Sequence, residues 1–269
     1  MNLENVEYGI ASHVARIEMK RPEVLNALSK GMFRDLKKAF GLATQDDDAR
    51  VVEITGAGKA FSAGLDIREV GGFKSRTEAK EFVYGLVKPF WDQFFKCEKP
   101  VVALVDGPAY GAGAEIALAS DIVVASTEST FAFSGGRVGA LCCVSAVIGS
   151  SLMNGRKLVE MNLAGTPLTA DEASHYGLVS HSVPREELAS TLEKIIRDIM
   201  QVSPVSNSSF KRIRRTELSK TRLETAYREL LRTINSKDFR EGSSAFVAKR
   251  APEYYRQYAL AYSESQKHE

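Results

Sequence analysis

The chain has 269 residues, 44% of them hydrophobic and 26% charged, with a formal net charge of +2 at neutral pH. This is ordinary globular composition, long enough for one large domain or one domain with a small appendage. The near-even charge balance argues against nucleic acid as a principal ligand, and no apolar run approaches the ~18 residues of a membrane-spanning helix.

The acidic start, Met1 to Glu7, lacks the basic and apolar regions of a signal peptide. Cys97, Cys142 and Cys143 form neither a disulfide framework nor a zinc pattern. The neighbouring pair reads as small buried apolar residues. The expectation is a cytoplasmic, reducing compartment. His13, His175, His181 and His268 show no ligand spacing, and no metal site is expected.

The first half alternates strand and helix signals. His13–Met19 reads as a strand. Ser29 is an N-cap for a helix to about Thr44, with Met32, Phe33, Leu36, Ala39 and Phe40 on one face. Arg50–Thr55 is a strand, followed by a glycine-rich loop from Gly56 to Gly64. A helical stretch from Thr77 to Cys97 carries Pro89, which is expected to kink or break it. Pro100 opens a strand over Val101–Val105, a second glycine-rich turn leads into a helix bearing Glu115, and Asp121–Ala125 is the next strand. This order predicts an α/β core with right-handed crossovers.

Helical patterns dominate after Ser182: Leu188–Gln201, Val205–Arg215, Thr221–Asn235 and Phe239–Lys249. Asp238 is the expected N-cap of the last and Pro252 its stop. Ser263–Glu269 reads as a frayed polar tail. Residues 1–200 are therefore expected to form the core and residues 201–269 a helical C-terminal subdomain that packs on the core or on another subunit.

Two loops carry candidate chemistry. In Lys59–Ile67, small residues at Ser62, Ala63 and Gly64 let a ligand approach the backbone, although a plain strand-to-helix connection explains them equally well. The second runs through Gly107, Gly111 and Gly113 to Glu115. It has no Gly-Lys-Ser/Thr and no full Gly-x-Gly-x-x-Gly, so it is neither a nucleoside triphosphate loop nor a dinucleotide fingerprint. A turn of this kind aims backbone N–H groups into a pocket where they hold an oxyanion. Glu115 is either a first-turn carboxylate favouring the helix dipole or a proton carrier. Its apolar neighbours Ala114, Ile116, Ala117 and Leu118 favour the second, because a carboxylate among them needs a partner or a raised pKa.

Taken together, the segments Arg21–Ser29, Ala60–Ile67, Lys99–Asp121, Leu163–Ala173, Tyr176–Val179, Glu241–Gly242 and Ala245–Arg250 resemble the crotonase superfamily, the enoyl-CoA hydratase/isomerase family, over essentially the whole chain. The resemblance implies a spiral of strand-strand-helix repeats with a helical C-terminal subdomain, assembled as a homotrimer or dimer of trimers. It implies an acyl-CoA thioester as substrate and no separate cofactor, since CoA arrives with the substrate. Two backbone N–H groups, assigned on this chain to Ala63 and Ala112, would bind the thioester oxygen, and Glu115 would be the acid-base residue. Leu25 and Ala27, with Ala63, Gly64, Leu65, Asp66 and Ile67, would hold the CoA. Phe246 and Lys249 would reach its nucleotide end from this or a neighbouring subunit, with Lys59 and Arg21 as further phosphate candidates.

The chain departs from the family pattern at one place. The second glutamate of the hydratases, which follows a proline, falls on Gly135, and the proline position falls on Ser134; the stretch after it is Ala140–Ala146. Adding water across a conjugated double bond uses two proton-handling groups, whereas shifting a double bond needs one. Hydratase-type activity is the first expectation. Double-bond isomerisation, decarboxylation or C–C hydrolysis is the second, and a non-catalytic acyl-CoA binder the third. Ser134, Arg137, Cys142 and Cys143 are candidate substitutes, with Arg137 able to meet a substrate carboxylate or to serve as a surface cation or partner of Glu115 or Asp66.

Overall fold

The computed structural model describes residues 3–216 and 218–256. The expected tail and His268 lie outside the described residues. Two strands, β1 (Val6–Ala11) and β2 (Val14–Met19), form an antiparallel hairpin. Strand β1 lies before the first strand expected from the sequence; its Val6, Tyr8 and Ile10 alternate with polar or small residues at the period of a half-buried strand. Helix α1 (Lys30–Gln45) follows, with the Ser29 hydroxyl accepting the Met32 N–H as its N-cap. Met32, Phe33, Leu36, Ala39, Phe40 and Ala43 form its buried face, each large side chain contributing about 1.5–3 kcal/mol of burial.

Strand β3 (Val51–Gly56), the short helix α2 (Ile67–Gly71) and α3 (Arg76–Phe82) come next. Pro89 does not break the following helix. A π-helical turn over Val83–Val87 joins α3 directly to α4 (Lys88–Lys96), so the helical path is continuous. Proline lacks an N–H and crowds the carbonyl four residues earlier, and the wider π turn just before it relieves both demands. The chain continues through β4 (Val101–Val105), β5 (Ala109–Tyr110), α5 (Ala112–Ala119), β6 (Ile122–Ser126), β7 (Thr130–Ala132), α6 (Ser145–Ile148), α7 (Gly155–Ala164), β8 (Leu168–Thr169), α8 (Ala170–His175) and β9 (His181–Val183).

The strands form two sheets. The larger has the order β1-β2-β3-β4-β6-β9, parallel from β2 onward. The smaller has the order β5-β7-β8. Isolated parallel bridges Leu28–Leu65 and Ser62–Ala109 extend the smaller sheet back toward the first turns. Each pass of the chain thus adds a strand to the large sheet and then a short extended segment to the small one, which makes the spiral.

The parallel sheet is covered on both faces, as its near-continuous apolar strands require. Ile17, Met19, Val52, Ile54, Ala103, Val105, Val123 and Ala125 face the main core, which includes the α1 and α4 aromatics. Val51, Val102 and Val124 face Leu188, Leu192 and Ile195 of α9 (Leu188–Gln201).

The remaining elements are helical: α10 (Pro204–Arg215), α11 (Lys220–Ile234) and α12 (Lys237–Val247). The α12 N-cap is Ser236 rather than Asp238, because the Ser236 hydroxyl accepts the Phe239 N–H; Asp238 sits in the first turn, where it favours the dipole. The helix also ends before Pro252. Lys249 adopts a left-handed conformation (φ 51°) and the Arg250 N–H reaches the Ala245 carbonyl at 3.0 Å, which closes the C-terminus. Among the described residues no helix is long and apolar enough to cross a membrane.

Candidate active site

The two glycine-rich loops meet. Gly64 has φ +88°, and a Cβ there would lie 2.7 Å from the Tyr110 oxygen and 3.2 Å from the Ala112 nitrogen. Only a residue without a side chain lets the first loop lie against the start of α5. A cavity of about 560 Å³ opens beside this contact.

Glu115 stands in the first turn of α5, 3% exposed. Its Oε1 accepts the backbone N–H groups of Val144 at 2.7 Å and Ser145 at 2.9 Å. Burial pushes its pKa up to about 7, and the two backbone hydrogen bonds restrain the rise. Glu23 and Asp66 also line the cavity. Asp66, however, caps α2 through the Glu69 N–H and pairs with Arg21 at 3.1 Å, and Glu23 is exposed. Glu115 is thus the deeply buried carboxylate of the cavity, titrating where proton transfer in both directions is efficient.

The amide donors differ in part from the sequence expectation. Ala112 opens α5, and as a first-turn amide its N–H has no intrahelical acceptor; it bonds no group among the described residues. Ala63 lines the cavity, but its N–H donates to the Leu25 carbonyl at 2.9 Å. An amide already committed to a carbonyl is not a free donor, so the assignment of Ala63 as a donor is corrected. Two residues on, the Leu65 N–H bonds no group among the described residues, and Leu65 lines the same cavity. Leu65 is the bridged residue of a parallel pairing in which the Leu28 N–H donates to the Gly64 carbonyl and the Asp66 N–H donates to the Leu28 carbonyl, so its own N–H points away from Leu28.

Of the expected CoA-contacting residues, Leu25, Ala27, Leu65, Asp66, Ile67 and Phe246 line the cavity. Leu25 and Phe246 are exposed at its mouth, 45% and 58% respectively. Gly64 lies behind the lining as the inter-loop contact. Lys249 and Lys59 are exposed and outside the lining, and Arg21 is held by Asp66 and the Ala27 carbonyl.

The altered wall is filled rather than open. A Cβ on Gly135 would lie 3.1 Å from both the Ala140 oxygen and the Cys142 sulfur. Ser134, Gly135, Cys142 and Cys143 line the cavity. Burial, reinforced by the neighbouring Glu115 carboxylate, raises both thiols well above their ordinary range. Arg137 is outside the lining; its Nε donates to the Ala164 carbonyl at 3.2 Å, so it partners neither Glu115 nor Asp66. Part of the lining, not anticipated from the sequence, is apolar: Phe33, Val87, Trp91, Leu141 and Leu230. These residues come from elements distant in sequence, and only the fold brings them together.

A model of the enoyl-CoA hydratase/isomerase family matches residues 9–257. The chain is 31% identical over 251 residues to a probable mitochondrial enoyl-CoA hydratase of Dictyostelium discoideum, covering 90% of this chain and 87% of that protein. It is 30% identical over 263 residues to the 1,2-epoxyphenylacetyl-CoA isomerase of Escherichia coli K12, covering 94% and 97%. Among solved structures, an enoyl-CoA hydratase/isomerase from Pseudoalteromonas atlantica T6c superposes with a TM-score of 0.81 at 26% identity, over 93% of this chain and 99% of that one. A carnitinyl-CoA hydratase from Mycobacterium avium does so with 0.80 at 27%, over 93% and 97%. The spiral of paired strands, the helical C-terminal region and these likenesses along nearly the whole chain lead to one conclusion: the protein belongs to the enoyl-CoA hydratase/isomerase family, within the crotonase superfamily.

Proposed function

We propose that the protein transforms an enoyl-CoA thioester through an enolate, with the Leu65 and Ala112 N–H groups holding the thioester oxygen and Glu115 moving the proton. The observation that carries this reading is the placement of one buried carboxylate, titrating at about 7, in the same cavity as two unengaged backbone amides. The ionised Glu115 takes a proton from the carbon next to the thioester. The electron pair passes to the thioester oxygen, where two amides favour the developing charge. The same carboxyl then returns the proton two carbons along the conjugated system, and the double bond shifts with no atom gained or lost.

Hydration was the first expectation from the sequence. The wall at Gly135 favours the second, a double-bond shift, because it supplies no second carboxylate and a side chain there would press on Ala140 and Cys142. Decarboxylation finds no support from Arg137, which lies away from the cavity. A purely binding role is disfavoured by the raised pKa of Glu115, which a passive site has no need of.

In this reading CoA enters with the substrate past Leu25 and Phe246, and no separate cofactor takes part. Assembly as a trimer or dimer of trimers is assigned to residues 201 onward. Val205, Phe210 and Ile213 of α10 are 70%, 61% and 69% exposed, an apolar stripe that a second copy would cover. The three buried free thiols fit a reducing compartment, taken here as the cytoplasm. The test is to compare a 3-enoyl-CoA with its 2-enoyl isomer. Conversion of the first to the second, faster than water addition to the second, supports the reading; water addition outpacing the shift contradicts it.

A further inference from the structure

A surface groove of about 440 Å³ lies between α1 and the π turn, and among the described residues the one that lines both it and the catalytic cavity is Phe33. The Phe33 ring is held edge-on by Phe82 at 5.7 Å and Phe90 at 5.6 Å, so the partition is fixed rather than loose. The π turn completes the wall: Val87 faces the catalytic cavity, while Gly85 and Leu86 face the groove. Such turns often occur where a helix is shaped for a ligand. Beyond the ring the groove is open to solvent, and the exposed cations Arg34, Lys37 and Lys38 line it together with Gln45 and Gln93. A Cβ on Gly41 or Gly85 would meet nothing within 4 Å, and Leu42 and Leu86 flank it.

We propose that Phe33 is the end wall of the acyl chamber and sets an upper limit on acyl length, its ring separating that chamber from the solvent-open groove between α1 and the π turn. This rests on the proposed acyl-CoA reading of the site and narrows its substrate to short- and medium-chain acyl groups. The apolar end formed by Phe33, Val87, Trp91 and Leu230 takes the acyl tail; a longer tail meets the Phe33 ring and cannot reach the space behind it.

The test measures binding of saturated acyl-CoAs, from butyryl to palmitoyl, by calorimetry, which needs no turnover. The wild type is expected to bind hexanoyl-CoA at least about tenfold more tightly than palmitoyl-CoA. Phe33→Ala is expected to raise palmitoyl relative to hexanoyl affinity by about tenfold or more, with Phe33→Leu between the two. Gly41→Leu, which fills the groove behind the ring without touching the catalytic cavity, is expected to cancel that gain in the Phe33→Ala background and to leave the wild-type profile unchanged. Intermediate Phe33→Leu behaviour and reversal by Gly41→Leu separate an opened wall from a generally loosened core. If acyl-CoAs bind but the wild type shows no length limit, or if neither Phe33 variant changes the ratio, the wall is overturned. If no acyl-CoA binds at all, the reading of the site falls, and the wall with it.

Discussion

Glu115 Oε1 accepts the Val144 N–H at 2.7 Å, across 29 residues of sequence. The contact joins the first turn of α5 to the loop that enters α6. It holds the carboxyl in place, while burial keeps its pKa at about 7. That pair of effects, one orienting and one tuning, leads to the first prediction.

The pKa of Glu115 is raised on folding, so the folded state holds a proton that the unfolded chain has released. Stability should therefore fall as pH rises from about 4.5 to about 7 and stay lower above it. The full effect is on the order of 3 kcal/mol. Glu115→Gln should remove this slope and raise stability at pH 8, read by urea unfolding across pH. In the same window the rate constant for proton abstraction should rise with pH as the carboxylate forms. A stability profile that is the same in both proteins would contradict the burial account.

The Ala112 amide is testable because proline is tolerated at the first position of a helix, where its missing N–H breaks no helical bond. Ala112→Pro should keep the far-ultraviolet circular dichroism of the parent and lower turnover by about 10²–10³-fold. Unchanged turnover would show that this amide holds no developing charge.

Gly64 brings the loops together through a positive φ and a close approach to Tyr110 and Ala112. Gly64→Ala should cost about 1–3 kcal/mol in backbone strain alone. It should also abolish activity before it abolishes the fold, because the added methyl pushes α5 away from Leu65. Thermal unfolding and turnover measured on the same sample check both parts.

At the altered wall, Gly135→Glu alone should cost about 1–3 kcal/mol through overpacking and gain little hydration, since its Cβ would press on Cys142 and Ala140. Combined with Cys142→Gly, which removes the opposing sulfur, the new carboxylate should find room, and water addition to a 2-enoyl-CoA should rise. Hydration from the single variant, with no need of the second change, would contradict the packing account of this wall.

The stripe on α10 predicts that Phe210→Asp with Ile213→Asp lowers the oligomeric state, measured by sedimentation. A monomeric parent would remove the assembly role assigned to this helix.

The sequence made the local chemistry legible where one segment holds it all. The strand, turn and helix around Glu115 could be read from the glycines and the apolar neighbours, and Ser29 marked the start of α1. The Ala63 N–H, expected as a donor, is bonded to the Leu25 carbonyl, and the unengaged amide lies two residues on at Leu65. Small residues at Ser62, Ala63 and Gly64 mark a close approach, but only the backbone reveals which N–H is already bonded. The apolar part of the cavity is not legible in the sequence, because Phe33, Trp91 and Leu230 meet through tertiary packing and each reads alone as a core residue. Likewise Gly135 reads as a missing carboxylate, and only the packing of Cys142 against it reveals that the space is occupied.

The central claim is that Glu115 moves the proton next to a thioester whose oxygen is held by two backbone amides. The most direct measurement is exchange of that proton with deuterium oxide, followed by mass spectrometry or nuclear magnetic resonance on a panel of acyl-CoAs. The account predicts exchange by the wild type on at least one short- or medium-chain thioester, and a loss of about 10²–10⁴-fold in Glu115→Gln with thioester binding retained. Exchange at full rate in Glu115→Gln, or thioester binding by the wild type with no exchange on any member of the panel, would contradict it.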